Sequence, residues 1–318
     1  MHPLLAVVAI LAGLFLLEAG ADRFTAGIGA LARRLNAPEH VVGLLTAGGE
    51  WEELVVVILA IVSGYPGLAV GNIVGSCLAN LIGSMPLGFL GARPLVPDRS
   101  ARISSVVMLL VTLLAAGFLL DGRIEPAAGG VLVALFVVYV VWVAVVIQRG
   151  WPRPLESEDD DDAAAGMSLA RQVGVLIVSA IVLGIAAELV VQGAVAMAQQ
   201  LGLSDYAIGA TVVAVGTTLP DKAISFVAGR RGQGGVVTAN ATGSNIFVLT
   251  IILGLAALAS GSGLVVAPEV ARVDLPLLVA ASVLVVLLFR RPALGRGTGW
   301  TLLALYVAYI SYALIRGA

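Results

Sequence analysis

Three carboxylic acids lie together in the middle of an apolar stretch in the first half of this chain. Glu50, Glu52 and Glu53 fall within the sequence GGEWEEL, inside an apolar run at 41–62. A charged side chain at the centre of a bilayer costs on the order of 2.5–3.5 kcal/mol. Three acids in such a segment therefore need protons, partners, water or a bound cation, and the cluster predicts a site at which cations are held.

A second polar cluster occupies the sequence VGTTLPDKAISF in the other half of the chain. Thr217 and Thr218 lie four and three residues before Asp221, which places their hydroxyls on the same face of a helix. Pro220 removes a backbone donor, and carbonyl groups freed in this way are tolerated at membrane depth where they line a cavity. This segment is predicted to supply hydroxyl, carbonyl and carboxylate oxygens at one place.

The sequence TANATGSNIF follows, with Asn240 and Ser244 four residues apart on one face. Hydroxyl, amide, carbonyl and carboxylate oxygens suit hard cations such as calcium, magnesium or sodium. His2 and His40 are the only histidines and Cys77 is the only cysteine, so we expect neither a histidine-based nor a multi-cysteine metal site. No nucleophile–base pair and no nucleotide-binding loop is visible in the sequence, and we do not expect an enzyme.

These polar residues belong to a chain built almost entirely of apolar segments. Its 318 residues are 59% hydrophobic and 12% charged, with a mean hydropathy of +1.04, whereas soluble domains carry roughly 25% charged residues. Stretches long enough to cross ~30 Å of hydrocarbon recur along the sequence. We predict an all-α polytopic membrane protein with ten transmembrane helices, near residues 4–32, 39–63, 69–91, 103–120, 127–148, 171–200, 205–229, 235–260, 273–289 and 299–315.

The basic residues fall almost entirely on one side of this ten-helix alternation. Thirteen arginines follow odd-numbered spans or flank the central linker, whereas Arg123, Arg272 and Arg316 are assigned to the opposite side. Because positively charged loops stay in the cytoplasm, both termini are predicted on the non-cytoplasmic side of a prokaryotic cell membrane. The acidic linker, residues 149–170, is predicted to be a solvated cytoplasmic connector.

The two halves of the chain resemble each other. A shift of 168 positions places Glu53 on Asp221, and a shift of 166 aligns the segments before them. The predicted halves, 1–148 and 171–318, hold five spans each, and an odd number of spans inserts the second copy upside down relative to the first. Inverted repeats of this kind place the ion site of a transporter near the membrane midplane, between the halves.

The paired motifs resemble those of the cation/calcium exchanger superfamily, which includes the sodium/calcium exchangers. That family has ten helices in two inverted repeats, each with a G-T-S-x-P-E segment followed by G-N-x-x-G-S-N. Here GTTLPD and ANATGSN match in the second half, and GNIVGS matches in the first. The resemblance implies that Glu53 and Asp221 are the transport carboxylates. It also implies side-chain ligands and two backbone carbonyl ligands, namely Ser76, Asn80, Thr217, Thr218 and Ser244, with carbonyls from Thr46 and Ala214.

Several positions depart from the family pattern. Gly49 and Glu50 stand where the family has hydroxyls, and Val248 stands where it has an amide or acid. Glu50 either joins Glu53 in the ion site, where close carboxylates favour a shared proton, or lies with Glu52 at a wet helix end. The missing ligands weaken the expectation of sodium coupling, and an added acid favours proton coupling.

A lysine beside a transport acid is unusual within a membrane span. Lys222 lies about 100° around an ideal helix from Asp221, so it need not face the ion. Two interpretations stay open: a lysine that snorkels or pairs with Glu52, and an internal counter-ion that occupies the cation site.

Together these features predict a cation antiporter that moves calcium in exchange for sodium or protons by alternating access. Calcium is favoured by the three nearby carboxylates. The expected partners are inorganic cations and the lipid bilayer, with no cofactor beyond the transported cations and no nucleic acid. The alternatives are a proton-coupled transporter of magnesium or a monovalent cation, and a non-transporting relative that keeps the fold.

Overall fold

Helices account for almost all of the chain that the computed structural model describes, which is residues 2–34, 49–91, 93–148, 168–268 and 270–317. In the first half, the helices are α1 Pro3–Arg34, α2 Trp51–Val62, α3 Pro66–Leu78, α4 Arg99–Leu120 and α5 Pro126–Gln148. A π-helical turn, Ala79–Ser84, and a 3-10 helix, Met85–Leu90, extend α3 without a break. Most of the predicted linker lies outside the described residues.

The second half is divided into more helices in the part of the chain that the structure describes. Its helices are α6 Leu169–Leu201, α7 Asp205–Ile208, α8 Ala214–Thr217, α9 Leu219–Arg230, α10 Gly234–Phe247, α11 Leu253–Ala259, α12 Leu275–Leu288 and α13 Arg296–Gly317. Three further π-helical turns join α7 to α8, join α10 to α11 and lead into α12, at Gly209–Val213, Val248–Ile252 and Val270–Asp274. Two short strands from opposite halves pair antiparallel, β1 Arg123–Ile124 and β2 Leu264–Val265.

Eight helical stretches in the described part of the chain are long and apolar enough to cross a membrane. They coincide with eight of the ten predicted spans, and the protein is a helical membrane protein. The predicted span at 39–63 corresponds in part to α2, which has 12 residues, since residues 35–48 lie outside the described residues. The predicted span at 205–229 corresponds to the divided run from α7 to α9.

Proline divides the run from α7 to α9. Pro220 is the second residue of α9, and without an N–H it cannot donate to the carbonyl of Gly216 as a continuous helix would require. Thr218, between the two helices, has φ −87° and ψ 13°. The break leaves carbonyl oxygens at the end of α8 available to side chains.

The spans that carry most of the polar residues lie at the centre of the molecule. In the most apolar windows of Pro66–Leu90 and Gly234–Ala259, 89% and 78% of the residues are buried, against 44% or less in the six other spans. The outer helices expose large apolar side chains, such as Phe15 on α1 and Ile177 on α6. A polar interior inside an apolar surface is the pattern expected when lipid is the solvent.

Contacts between α1 and α6 occur in the reciprocal pairs that an inverted repeat requires. A Cβ atom on Gly27 would lie 2.7 Å from Leu176 Cδ2, and one on Gly193 would lie 2.8 Å from Ile10 Cγ1. A shift of 166 positions converts the first pair into the second. The helices therefore run antiparallel at close range, and the exchange of partners supports the predicted inverted arrangement.

A second close contact between the halves brings α3 against α7 and the turn after it. A Cβ atom on Gly71 would lie 2.3 Å from the Tyr206 carbonyl oxygen, and one on Gly75 would lie 2.4 Å from that of Ala210. Only glycine permits backbones this near. For Gly243 the described residues place nothing within 4 Å, and its repeat-equivalent partner segment lies outside the described part of the chain.

Candidate cation site

Buried polar side chains from both halves form one cluster in the interior. Its members come from α2, α3 with its π-helical extension, the run from α8 to α9, and α10. Each is no more than 6% exposed, and they are Glu50, Glu53, Asn72, Ser76, Asn80, Thr217, Thr218, Asp221 and Ser244. Buried polar and charged groups are costly unless they are paired or hold an ion. The predicted ligand Thr46 lies outside the described residues.

A hydroxyl from the second half contacts the first-half carboxylate. Thr217 Oγ1 lies 3.1 Å from Glu53 Oε1, 3.2 Å from the Val213 carbonyl oxygen and 3.4 Å from Asn72 Oδ1. Threonine has a single hydroxyl proton, so it donates to one oxygen at a time. Its proton therefore reaches only one of these three oxygens, and carboxylate, carbonyl and amide oxygens are of the kinds that coordinate hard cations.

The second-half carboxylate is held by α10. Asn240 Nδ2 donates to Asp221 Oδ1 over 2.8 Å, and Ser244 Oγ lies 3.5 Å from the same oxygen. The carboxyl of Glu50 lies near Ser244 and Asp221. Because Glu50 is only 6% exposed, a wet helix end does not describe its surroundings, whereas Glu52 is half-buried.

Several buried polar atoms at this place have no hydrogen-bond partner among the described residues. They are Glu53 Oε2, Asp221 Oδ2, Ser76 Oγ, both polar atoms of the Asn80 amide, and Asn72 Nδ2. Unpaired buried polar groups are rare in proteins, and each costs about 1–3 kcal/mol. Four of these atoms are oxygens of the kinds that coordinate hard cations. The cluster thus has the donor chemistry of a cation site.

Most of these donors are neutral. Among the described residues, no group of three or more acids, histidines or cysteines converges to hold a metal ion. The three-carboxylate group of Glu50, Glu53 and Asp221 that favoured calcium in the sequence is thus not found as a metal-holding cluster among these residues. Glu53 faces Thr217, while Glu50 lies beside Ser244 and Asp221.

The hydroxyls of Thr217 and Thr218 do not both face Asp221, contrary to the prediction from a single helical face. Thr217 contacts Glu53, and Thr218 Oγ1 donates to the Ala214 carbonyl oxygen over 2.6 Å. The physical reason is the break at Thr218, which ends α8 before Asp221 is reached. The predicted carbonyl ligand Ala214 thus accepts a hydrogen bond from a neighbouring predicted ligand.

Two amides that were left out of the predicted ligand set take part in this cluster. Asn72 lies beside Thr217, and Asn240 donates to Asp221. The shift of 168 positions superimposes Asn72 on Asn240, and that pairing was the signal that could have identified them. Asn240 therefore contacts the carboxylate of Asp221 directly, and Asn72 contacts the hydroxyl that lies next to the carboxylate of Glu53.

Comparison with known proteins identifies the family. The sequence pattern of the family described as sodium/calcium exchanger protein matches residues 5–145 and 171–315. The chain belongs to the sodium/calcium exchanger family. The membrane protein MJ0091 of Methanocaldococcus jannaschii is 33% identical to this family member over 303 residues, 95% of each chain. The sodium/calcium exchanger MaX1 of Methanosarcina acetivorans is 35% identical over 147 residues, 44% of this chain and 40% of its own.

A solved structure agrees with this assignment. The sodium-calcium exchanger NCX_Mj, soaked with Na⁺ and Sr²⁺, matches this sodium/calcium exchanger family member with a TM-score of 0.64 and 31% sequence identity, covering 97% of this chain and 98% of that one. The resemblance inferred from the paired motifs is therefore confirmed. The family and the fold are those of ion exchangers.

Proposed function

We propose that this protein is an antiporter that exchanges calcium for protons or sodium across the membrane. The observation that carries the proposal is the set of unpartnered buried oxygens around Glu53 and Asp221, which belong to opposite halves of an exchanger fold. Calcium takes roughly six to eight oxygen ligands, and two carboxylates with hydroxyl, amide and carbonyl oxygens supply that kind of shell. The exposure of NCX_Mj to sodium and strontium ions supports a divalent substrate here.

In the proposed site, Glu53 and Asp221 provide the negative charge, one from each half. The neutral oxygens come from side chains on both halves and from backbone carbonyls. The proposed neutral ligands are Ser76, Asn80, Thr217, Thr218 and Ser244, with the carbonyl oxygens of Thr46 and Ala214. A site made by both halves can open to either side of the membrane when one half rocks against the other.

The ten-span inverted arrangement belongs to the same proposal. Both termini then lie on the non-cytoplasmic side, and the acidic linker at 149–170 lies in the cytoplasm. The exchanged contacts of Gly27 and Gly193 support the inversion, and the one-sided distribution of arginines supports the orientation.

Proton coupling is favoured over strict sodium coupling. Val248 is fully buried and apolar at the position equivalent to Asn80, so one oxygen ligand for sodium is missing. Glu50 adds a buried carboxyl beside Ser244, and such a group can carry a proton through part of the cycle. We therefore infer that protons supply the main counter-flux.

Calcium uptake into proteoliposomes, with outward proton and sodium gradients imposed separately, tests this function. Uptake driven mainly by the proton gradient is the expected result. If protein that is folded and inserted in the vesicles shows no uptake under either gradient, calcium exchange is excluded as its function. The same vesicles loaded for magnesium or monovalent-cation flux then test the alternative substrates.

The substitution Glu50→Ser is expected to shift the coupling toward sodium. It replaces a proton-carrying group by the type of hydroxyl that the family has at this position. The measured quantity is the ratio of calcium uptake under the proton gradient to uptake under the sodium gradient, which should fall. Glu52→Ser makes the same chemical change at a half-buried neighbour and should leave the ratio unaltered. An unchanged ratio in Glu50→Ser would exclude Glu50 from the coupling.

A further inference from the structure

Oxygen atoms surround the ammonium group of Lys222 at the break between α8 and α9. Nζ lies 3.3 Å from the carbonyl oxygens of both Val215 and Thr218, and it also donates to the Thr218 hydroxyl. An ammonium group has three N–H donors, and these three oxygens occupy all of them. The Tyr306 ring covers a further side, with its centroid 5.8 Å from Nζ. The lysine therefore neither snorkels to water nor directs its donors to Glu52.

The Thr218 hydroxyl oxygen accepts from this ammonium, and it would face a metal ion with the same oxygen. Its hydroxyl proton is donated to the Ala214 carbonyl oxygen, 2.6 Å away, so the Thr218 oxygen meets Lys222 as an acceptor. Hydroxyl oxygens and the carbonyls of an interrupted helix are the groups that coordinate sodium in transporters of this general design. Lys222 thus takes up one oxygen of the proposed ion site, that of the Thr218 hydroxyl, together with two carbonyl oxygens beside it.

Helix dipoles explain why the side chain folds backward. Lys222 lies in the first turn of α9, where the positive end of the dipole disfavours a cation. Its ammonium instead reaches the carbonyl of Val215, seven residues earlier, in the last helical turn before the break. That end carries partial negative charge and favours a cation.

The two halves differ in the charged residues that they carry at equivalent positions. Under the shift of 168 positions, Lys222 corresponds to a leucine and Thr218 corresponds to Glu50. The second half therefore carries an added positive charge, and the first half carries an added acid. The fully buried Val248 stands in the place of Asn80, so the half with the lysine also has fewer oxygens for a mobile ion.

We propose that Lys222 is a tethered counter-ion that occupies a monovalent-cation position at the α8–α9 break, in the place of a sodium ion. The proposal rests on the proposed antiport function, because it names an ion position of the exchanger that the protein fills itself. The cycle then needs one mobile cation fewer.

The substitution Lys222→Met tests this directly. It removes the charge and keeps an unbranched side chain, so the vacated oxygens should bind a sodium ion. Equilibrium binding of radioactive sodium to the purified protein is expected to rise by one ion per chain relative to the wild type. Adding Thr218→Val removes the hydroxyl ligand and should abolish that gain, whereas Lys222→Arg keeps the charge and should bind no additional sodium.

Unchanged sodium binding in a folded Lys222→Met protein would overturn the proposal, as would a gain that survives Thr218→Val. If Lys222→Met does not fold, Lys222→Leu, which places the equivalent first-half residue at this position, is judged by the same outcomes. Calcium uptake by the wild type is measured in parallel. Its absence would overturn the antiport function, whereas sodium binding by the variants reports on the lysine position alone.

Discussion

Calcium exchange is expected to disappear in Glu53→Gln while the fold is retained. The substitution removes one of the two carboxylate charges proposed to bind the ion. A pair of unit charges ~4 Å apart interacts by about 4 kcal/mol at an effective dielectric constant near 20, which corresponds to roughly 10³-fold in affinity. The amide oxygen can still accept the hydrogen bond that Thr217 now gives to Glu53 over 3.1 Å. Initial rates of calcium uptake measure the loss.

The matched control for this variant is Glu52→Gln. It makes the same chemical change one residue away, at a half-buried position, and should keep exchange near the wild-type rate. Asp221→Asn should behave as Glu53→Gln does, because each removes the carboxylate of one half. If Glu53→Gln kept full exchange, the ion site would have to lie elsewhere in the fold.

The substitution Gly75→Ala is expected to lower the free energy of unfolding by about 2 kcal/mol. A Cβ atom there would lie 2.4 Å from the Ala210 carbonyl oxygen and 2.7 Å from its Cα atom. Overpacking costs up to about 3 kcal/mol, of which the better helix propensity of alanine offsets about 1 kcal/mol. Because Ser76 and Thr217 lie on the two segments that are pushed apart, exchange should fall as well. Unfolding in detergent, followed by circular dichroism, measures the stability.

Gly130→Ala is the control for that variant. It adds the same atom within α5, where a Cβ atom would have nothing within 4 Å among the described residues. Its expected effect is neutral or a gain of up to about 1 kcal/mol from helix propensity. Equal stability of the two alanine variants would mean that α3 can move away from the second half without cost.

The helices and the contact between the halves were largely predictable from the sequence. Hydropathy marks spans directly, since lipid allows only apolar helices at its surface. Gly71 and Gly75 are the two glycines of the GNIVGS motif, glycine in a span permits close approach of backbones, and the two meet the carbonyls of Tyr206 and Ala210. The repeat likewise indicated that Glu53 and its counterpart would belong to one site, because equivalent positions of an inverted pair lie on either side of the same axis.

The directions of individual side chains at the site were not predictable. The angles of a continuous helix placed Lys222 away from Asp221, but the chain breaks at Thr218 and lets the lysine reach the Val215 carbonyl. Thr217 was assigned to Asp221 for the same reason and contacts Glu53 instead. The spacing of residues defines a shared helical face only while the helix is continuous. A proline in the sequence predicts an interruption but not the backbone angles of the residues beside it.

The π-helical turns were also not predicted, because their sequences, ANLIGS and VLTII, carry the apolar pattern of an ordinary helix. These turns lie at equivalent places, Ala79–Ser84 and Val248–Ile252, so the widened backbone is present around Asn80 and around Val248 alike. A valine has no group for an ion, and within the turn the Thr250 hydroxyl donates to the Ile246 carbonyl oxygen. The second half thus keeps the π-helical turn at the position where the first half has the proposed ligand Asn80. A single substitution, Val248→Asn, would restore the symmetry of the duplicated pair, because the main chain there already has the required form.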